Sequence, residues 1–587
     1  VVVFAGPVEQ VVAPNGRTVD SGSPGQFGAD AEASCLPFLG RRDKEVLMPD
    51  RGSSHLQAEP TRRSYDYVVV GAGSAGCVLA NRLTEDSDVH VLLLEAGASD
   101  DADEIHIPAA FSSLFKTRWD WNYETREQKN LGGRTTYWPR MKALGGCSSM
   151  NAMIYIRGNR ADFDGWRDEH GATGWGYDDV LPYFRRAEHN ARLTGPLHGN
   201  DGPLHVEDRR YTHELSSAWV DSAVAWGLKP TDDFNGASQD GAGQYQVTCH
   251  NGRRWSTADA YLRPALRRPN LTVHTDALAG RIVIEDGRAV GVAYLRAGVE
   301  HVVRAEREVL LSGGAINSPQ LLMLSGIGPA EHLREHGVDV TVALPGVGEN
   351  LHDHPAAGVV WYTKGTTDLA DFQNPTRLLQ WQATGRGPLA SNVGEAGGFV
   401  ATRDGLTAPD MQFHVVPSMF VDNGLREPTG RGFTAAATVV DVASRGQVRL
   451  RSADPTWRPS IDPAYYSDPA DWDCMLAGMR MLIEIGRQPA IGRFLASPHL
   501  PGHLDGITDE ELGDHIRAET QTLYHPVGTC AMGTGEHAVV DPELRVHGVA
   551  GLRVVDASVM PKVVRGNTNA PTIMIAERAA DLIKNSA

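Results

Sequence analysis

Ser64-Tyr-Asp-Tyr-Val-Val-Val70 runs directly into Gly71-Ala-Gly-Ser-Ala-Gly76. The first stretch is β-branched and apolar, as a buried strand should be, and the second is a glycine turn. Cys77-Val-Leu-Ala-Asn-Arg-Leu83 then spaces apolar residues helically, and Val89-His-Val-Leu-Leu-Leu-Glu95 is a second buried-strand run. Strand, turn, helix and strand over about 30 residues make a βαβ unit. In so glycine-rich a chain a bare GxGxxG arises by chance roughly 0.7 times, so the motif alone says little. Its place between strand and helix gives it meaning, with Glu95 closing the next strand 24 positions after Gly71. Gly71 makes the tight turn, Gly73 admits backbone N–H groups to a pyrophosphate, and Gly76 lets the helix pack on the strand. Ser74 belongs to the same turn, at a helix start whose partial positive charge faces the phosphates. Glu95 can accept from a ribose 2′-OH and repels a 2′-phosphate, so the dinucleotide is FAD or NAD.

Outward from this unit, glycine is in excess, with 63 of 587 residues. No triplet period accompanies it, which excludes collagen and leaves turns and close backbone approaches. A chain of this length holds two or more domain-sized units, and 41% apolar with 22% charged residues is a globular composition. The net charge of −18 argues against a nucleic-acid partner or an anionic membrane surface. Cys35, Cys77, Cys147, Cys249, Cys474 and Cys530 form no CxxC pair. Neither a disulfide framework nor a metal site is expected, and reduced thiols suit a cytoplasmic protein. No apolar run approaches the length of a membrane span. Residues 1–64 lack helical or alternating periodicity and read as a disordered N-terminal extension, with function beginning at Tyr65.

Three further segments carry a family resemblance. They are Arg140-Met-Lys-Ala-Leu-Gly-Gly-Cys-Ser-Ser-Met-Asn-Ala-Met-Ile-Tyr-Ile-Arg-Gly158, Gly314-Ala-Ile-Asn-Ser-Pro-Gln-Leu-Leu-Met-Leu-Ser-Gly-Ile-Gly-Pro329, and the stretch from Gly551-Leu-Arg-Val-Val-Asp-Ala-Ser558 through Arg578. They resemble the two signatures and the closing FAD segment of the glucose–methanol–choline (GMC) oxidoreductases, FAD-dependent alcohol oxidases and dehydrogenases. The choline dehydrogenase-like branch is the most similar. The resemblance implies FAD, an alcohol as substrate, and dioxygen or another electron acceptor; a homodimer is left open. It places Asn151 near the flavin pyrimidine edge, Ala279 at the adenine, and Asp556 with Ala557 beside the pyrophosphate. Gly145 and Gly146 would let backbone pass close to the flavin ring. Pro571 and Thr572 would start a helix whose N-terminus stabilises negative charge on the reduced flavin.

Oxidising an alcohol takes a base for the hydroxyl proton and donors that hold the oxygen. Tyr524-His-Pro-Val-Gly-Thr529 resembles the family's His-Pro-x-Gly-Thr motif, which makes His525 the base. In Gly566-Asn-Thr-Asn-Ala-Pro-Thr572, Asn567 falls where relatives place a catalytic Asn or His, and Asn569 is left to support the turn or the flavin. His414, in Pro409-Asp-Met-Gln-Phe-His-Val415, matches a substrate-facing His of choline oxidase.

Two departures from the family pattern matter. Some members bind FAD covalently through a His directly before the Asn of the first signature; here that residue is Met150, so FAD is expected to be non-covalent. Choline-specific members carry a Glu two residues after the His of Gly346-Val-Gly-Glu-Asn-Leu-His-Asp-His354, and here that position is Ala356. A quaternary cation would be desolvated there without a carboxylate. The expected substrate is therefore a polyol, sugar derivative or aliphatic primary alcohol, although an aromatic box that includes Trp361 could still hold a cation. Choline dehydrogenase proper and a hydroxynitrile-lyase-like activity are the alternatives. The implied fold is α/β (α+β overall). A Rossmann-like FAD-binding domain takes residues 65–159, 235–345 and 520–587. A substrate domain with an antiparallel sheet and helices takes 160–234 and 346–519.

Overall fold

The computed structural model describes residues 63–586. The expected extension lies outside these residues, apart from Arg63 and Ser64, and Ser64 already belongs to the first strand. Strand Ser64–Val70 lies between two parallel partners, Val91–Leu94 on one side and Val299–Leu311 on the other. Val68 pairs with Leu92 and with Val309, so the apolar run is buried on both faces, as parallel strands require. Strand Leu271–His274 extends the parallel set beyond Val91–Leu94. The long strand Val299–Leu311 divides its length, pairing antiparallel with Arg288–Arg296 and then parallel with Leu552–Val554. Ala277–Glu285 completes a seven-stranded sheet.

The expected third role of the glycine motif is visible in atomic contact. A Cβ on Gly76, in helix Ser74–Leu83, would stand 1.8 Å from the Gly71 carbonyl oxygen. A Cβ on Gly71, at φ +99°, would stand 2.5 Å from the Ser312 carbonyl oxygen. The helix packs against the C-terminal helix Asn569–Ser586. There the fully buried Glu577 accepts from Arg82 and from the Tyr261 hydroxyl.

A second sheet of seven strands is antiparallel throughout. Its centre is Pro355–Thr363, Gly432–Val439, Met411–Val416 and Ala396–Val400. Helix Pro469–Gly486 covers one face, with Gly478 seated against Met411. Two short strands cross the expected division. Gly241–Gln244 and Gln521–Thr522 lie in segments assigned to the first domain, yet both hydrogen-bond into the second sheet. No helix among the described residues is long and apolar enough to cross a membrane.

Candidate active site

One cavity of about 550 Å³ runs from the first sheet to the second. At one end it meets Val70, Leu94 and Leu311, the last residues of three neighbouring parallel strands. Ligands of open α/β sheets sit at such carboxyl ends, where strand order reverses. Three helices begin at this cavity, at Ser74, Gly314 and Asn569. Their free N–H groups and dipoles favour a polyanion. The Ser74 hydroxyl donates to Asn569 Oδ1 at 2.7 Å, joining two of these starts. The last helix therefore opens two residues before Pro571, which lies in its first turn and off the cavity wall, while Thr572 lines it.

The glycine cradle leaves room for backbone alone. A Cβ on Gly146 would fall 2.6 Å from the Gly73 Cα. Gly146 lines the cavity but Gly145 does not; a Cβ on Gly145, at φ +83°, would meet Ser149 Oγ at 2.2 Å. Gly146 thus answers a close approach between two loops, and Gly145 one within its own turn. Glu95 is buried, and its two oxygens accept from Ala72 N at 2.9 Å and Gly97 N at 2.8 Å. Burial pushes its carboxyl up to about 7. Each oxygen keeps a lone pair for a ribose hydroxyl.

Asp556 accepts from Gly314 N, from the Ser318 hydroxyl at 2.6 Å and from Ser558 N, and lines the cavity with Ala557. Ala279 also lines it, directly before a bulge at Gly280. Asn151 Oδ1 accepts from Met153 N and from Arg254. A bare-backbone cradle, three helix starts and a buried carboxylate fit a dinucleotide diphosphate and its ribose. Met150 is buried on the same cavity and offers no nucleophilic nitrogen.

At the other end His414, on strand Met411–Val416 of the second sheet, lines the cavity with His525 and Asn567, which come from loops. Asn567 Nδ2 donates to His525 Nε2 at 3.3 Å, and Gln412 Nε2 donates to Asn567 Oδ1 at 3.4 Å. With Nε2 accepting, the neutral His525 ring carries its proton on Nδ1, which lies 2.9 Å from Nδ1 of His354. The Asp353 carboxylate accepts the His525 backbone N–H at 2.7 Å and the Tyr465 hydroxyl at 2.6 Å. Tyr524, just before His525, holds φ at +71°, a conformation that costs free energy in a bulky residue. His414 Nδ1 lies 3.4 Å from the Thr438 hydroxyl, while its Nε2 is buried without a hydrogen-bond partner. Burial, then the neighbouring His354, His414 and Arg140, hold His525 well below the usual histidine range. Burial alone takes His414 down to about 3. Both rings are therefore held neutral, each with one ring nitrogen free to accept a hydrogen bond.

His354 and Gln412 were not singled out from sequence. His354 sits in a quoted segment, but its contact with His525 spans 171 positions. Gln412 is two residues before His414, a spacing that puts both on one strand face. Trp361 does not join the cavity. It is buried on the opposite face, 6.2 Å from the Phe433 ring and against Gly486, because strand alternation turns it away from Val360. The cysteines among the described residues are all free. One group of potential metal ligands, His332, Glu335 and His336, lies off the cavity, and His332 Nε2 there already accepts from Leu450 N.

Comparison with known proteins matches this architecture. Family models described as GMC oxidoreductase cover residues 65–356 and 442–576. Mitochondrial choline dehydrogenase of Mus musculus is 44% identical over 90% of this chain and 91% of that protein. An alcohol dehydrogenase [acceptor] of Pseudomonas putida is 43% identical over 88% of this chain and 95% of its own. Among solved structures, pyridoxine 4-oxidase from Mesorbium loti superposes with a TM-score of 0.81 at 30% identity, over 88% of this chain and 99% of that one. Formate oxidase of Aspergillus oryzae RIB40 gives 0.83 at 29%, over 89% and 98%. With relatives matched over nearly their full length and both family models spanning most of the sequence, the chain belongs to the GMC oxidoreductase family and is an oxidoreductase of the CH–OH class.

Proposed function

We propose that the protein oxidises a primary alcohol other than choline to its aldehyde, using non-covalently bound FAD and passing electrons to dioxygen or another acceptor. The observation that carries this reading is the convergence of His525 Nε2, the Asn567 amide and the unpartnered His414 Nε2 on the cavity that also holds the glycine cradle. FAD, when bound, supplies the hydride acceptor. Residues 65–159, 235–345 and 520–587 would hold it, and 160–234 with 346–519 would shape the substrate end.

The chain's own groups handle the proton. An alcohol hydroxyl placed between His525 and Asn567 donates to His525 Nε2 and accepts from Asn567 Nδ2, replacing their long 3.3 Å bond. His525 takes the proton, and the Asn567 N–H holds the oxygen as charge gathers on it. His414 Nε2 offers a second polar contact to the same oxygen. The buried surroundings exclude water, which strengthens each of these interactions. Relatives named choline dehydrogenase keep choline in view, but Ala356 provides no carboxylate for its cation.

The test is an alcohol panel scored anaerobically for flavin bleaching and aerobically for peroxide. Bleaching by primary alcohols, abolished in His525→Ala, is expected. A flavin that no alcohol reduces would overturn the reading in favour of a lyase.

A further inference from the structure

Beside the histidines, three strands of the second sheet build a ladder of small side chains. The register pairs Gly358 with Ala436, and Ala436 with His414. Two residues further along, Val360 pairs with Thr434, and Thr434 with Val416. Alternate residues of a strand share a face, and all six of these line the cavity. Phe420 closes the outer end. Its N–H donates to Thr434 Oγ1 at 2.9 Å, and its ring lies 6.2 Å from that of Phe111. The Thr434 hydroxyl in turn donates to the Ser418 carbonyl at 2.8 Å. The one polar side chain of the outer row has therefore spent its hydrogen inside the protein, and no residue of that row is charged.

We propose that this ladder is the tail subsite for an uncharged, apolar primary alcohol, aliphatic or arylalkyl. Its chain would lie over Ala436 and Gly358 and point toward Val360, Val416 and Phe420. The inference rests on the alcohol-oxidising reading of the same cavity. Extra hydroxyls of a polyol would lose water along this surface and find no free partner. A quaternary cation would lose its hydration with no carboxylate on the ladder. The remaining cavity carboxylates do not serve it. Glu95 and Asp556 hold backbone N–H groups, Asp120 holds the Tyr137 hydroxyl, Asp422 is exposed, and Glu519 lies 3.9 Å from Arg426. A Cβ on Gly358 would stand 3.3 Å from the Ala435 carbonyl oxygen, a tight contact that a shift of a few tenths of an ångström relieves, and no positive φ opposes it. Bulk added at that position projects into the tail space.

The experiment uses the FAD-loaded enzyme and two series. Tertiary alcohols with straight-chain or phenylalkyl tails have no α-hydrogen, so their Kd can be read from the flavin spectrum without turnover. Straight-chain primary alcohols, benzyl alcohol, glycerol and choline are compared by kcat/KM for anaerobic flavin reduction. The expected result is a Kd that falls about fourfold per added methylene until the ladder is filled. Gly358→Val and Ala436→Val, each checked for flavin content, should raise Kd for the longest tails at least tenfold and shift the preferred chain to shorter members. A Kd that ignores tail length, or glycerol or choline leading in kcat/KM, overturns the ladder and leaves alcohol oxidation standing. Length-dependent binding without any flavin reduction keeps the ladder and overturns the oxidation reading.

Discussion

Nδ1 of His354 lies 2.9 Å from Nδ1 of His525, with the two rings nearly perpendicular at 88°. Two neutral imidazoles in that arrangement can place only one proton between them. Since Asn567 donates to Nε2 of His525, the shared proton belongs to His525, and His354 accepts it. Burial, followed by the neighbouring His414, takes His354 down to about 3, so it remains a neutral acceptor at working pH. His354 is thus a positioning residue that keeps the Nε2 lone pair of His525 directed at the cavity. Removing that acceptor in His354→Leu should let the proton move to Nε2. Flavin reduction should slow by about 10²-fold, within the range of a mispresented general base, with FAD content retained. His354→Gln, which restores an acceptor, should recover part of the rate; equal loss in both variants would mean that the residue only fills space.

The two residues proposed to hold the alcohol oxygen should separate by variant. His525→Ala removes the proposed proton acceptor and should cost about 10²–10⁴ in the rate of flavin reduction. Asn567→Ala removes one donor to a developing oxyanion and should cost about 10²–10³. Because Asn567 also accepts from Gln412 at 3.4 Å, Gln412→Leu should give a smaller loss, expressed in kcat rather than in FAD binding. Stopped-flow reduction of the loaded enzyme measures all three.

The glycine cradle predicts a stability effect. A Cβ at Gly146 would lie 2.6 Å from the Gly73 Cα on a backbone at φ +50°, so Gly146→Ala is strained twice. Overpacking of this kind costs about 1–3 kcal/mol, and left-handed backbone adds to it. Gly146→Ala should lower the midpoint of thermal unfolding and lose FAD together. Gly502→Ala, where nothing lies within 4 Å, is the control that should leave both unchanged.

Much of this could be read from the chain, for a physical reason. The βαβ unit is local: strand, turn, helix and Glu95 span about 30 residues, and each step has its own pattern. His525, Asn567 and His414 came from the family resemblance of short segments, not from periodicity or spacing. His354 was missed because its role exists only once residues 171 positions apart are in contact. Trp361 was misplaced because an apolar strand buried on both faces gives no parity to read. Val360 and Trp361 look alike in sequence and face opposite sides. At Gly145 the close approach within the protein is to Ser149, which no spacing announces.

Stability should fall in acid, and His414 allows the effect to be isolated. Its pKa is about 3 in the folded protein, against about 6.5 when exposed. Between those values the unfolded chain binds a proton that the native state refuses, so stability falls as pH drops through 6.5 and continues to fall toward 3. At pH 5 each such histidine removes about 2 kcal/mol at 1.36 kcal/mol per pH unit. His354 acts in the same direction. Glu95, raised to about 7, acts in the opposite one, because its native form holds a proton that the unfolded form has released. The total slope therefore mixes signs, and the informative quantity is a difference between proteins. His414→Gln cannot take up that proton, so its stability loss between pH 7.5 and pH 5 should be about 2 kcal/mol smaller than that of the parent chain. Urea unfolding of both proteins at the two pH values measures it. Equal losses would place the His414 ring in contact with water.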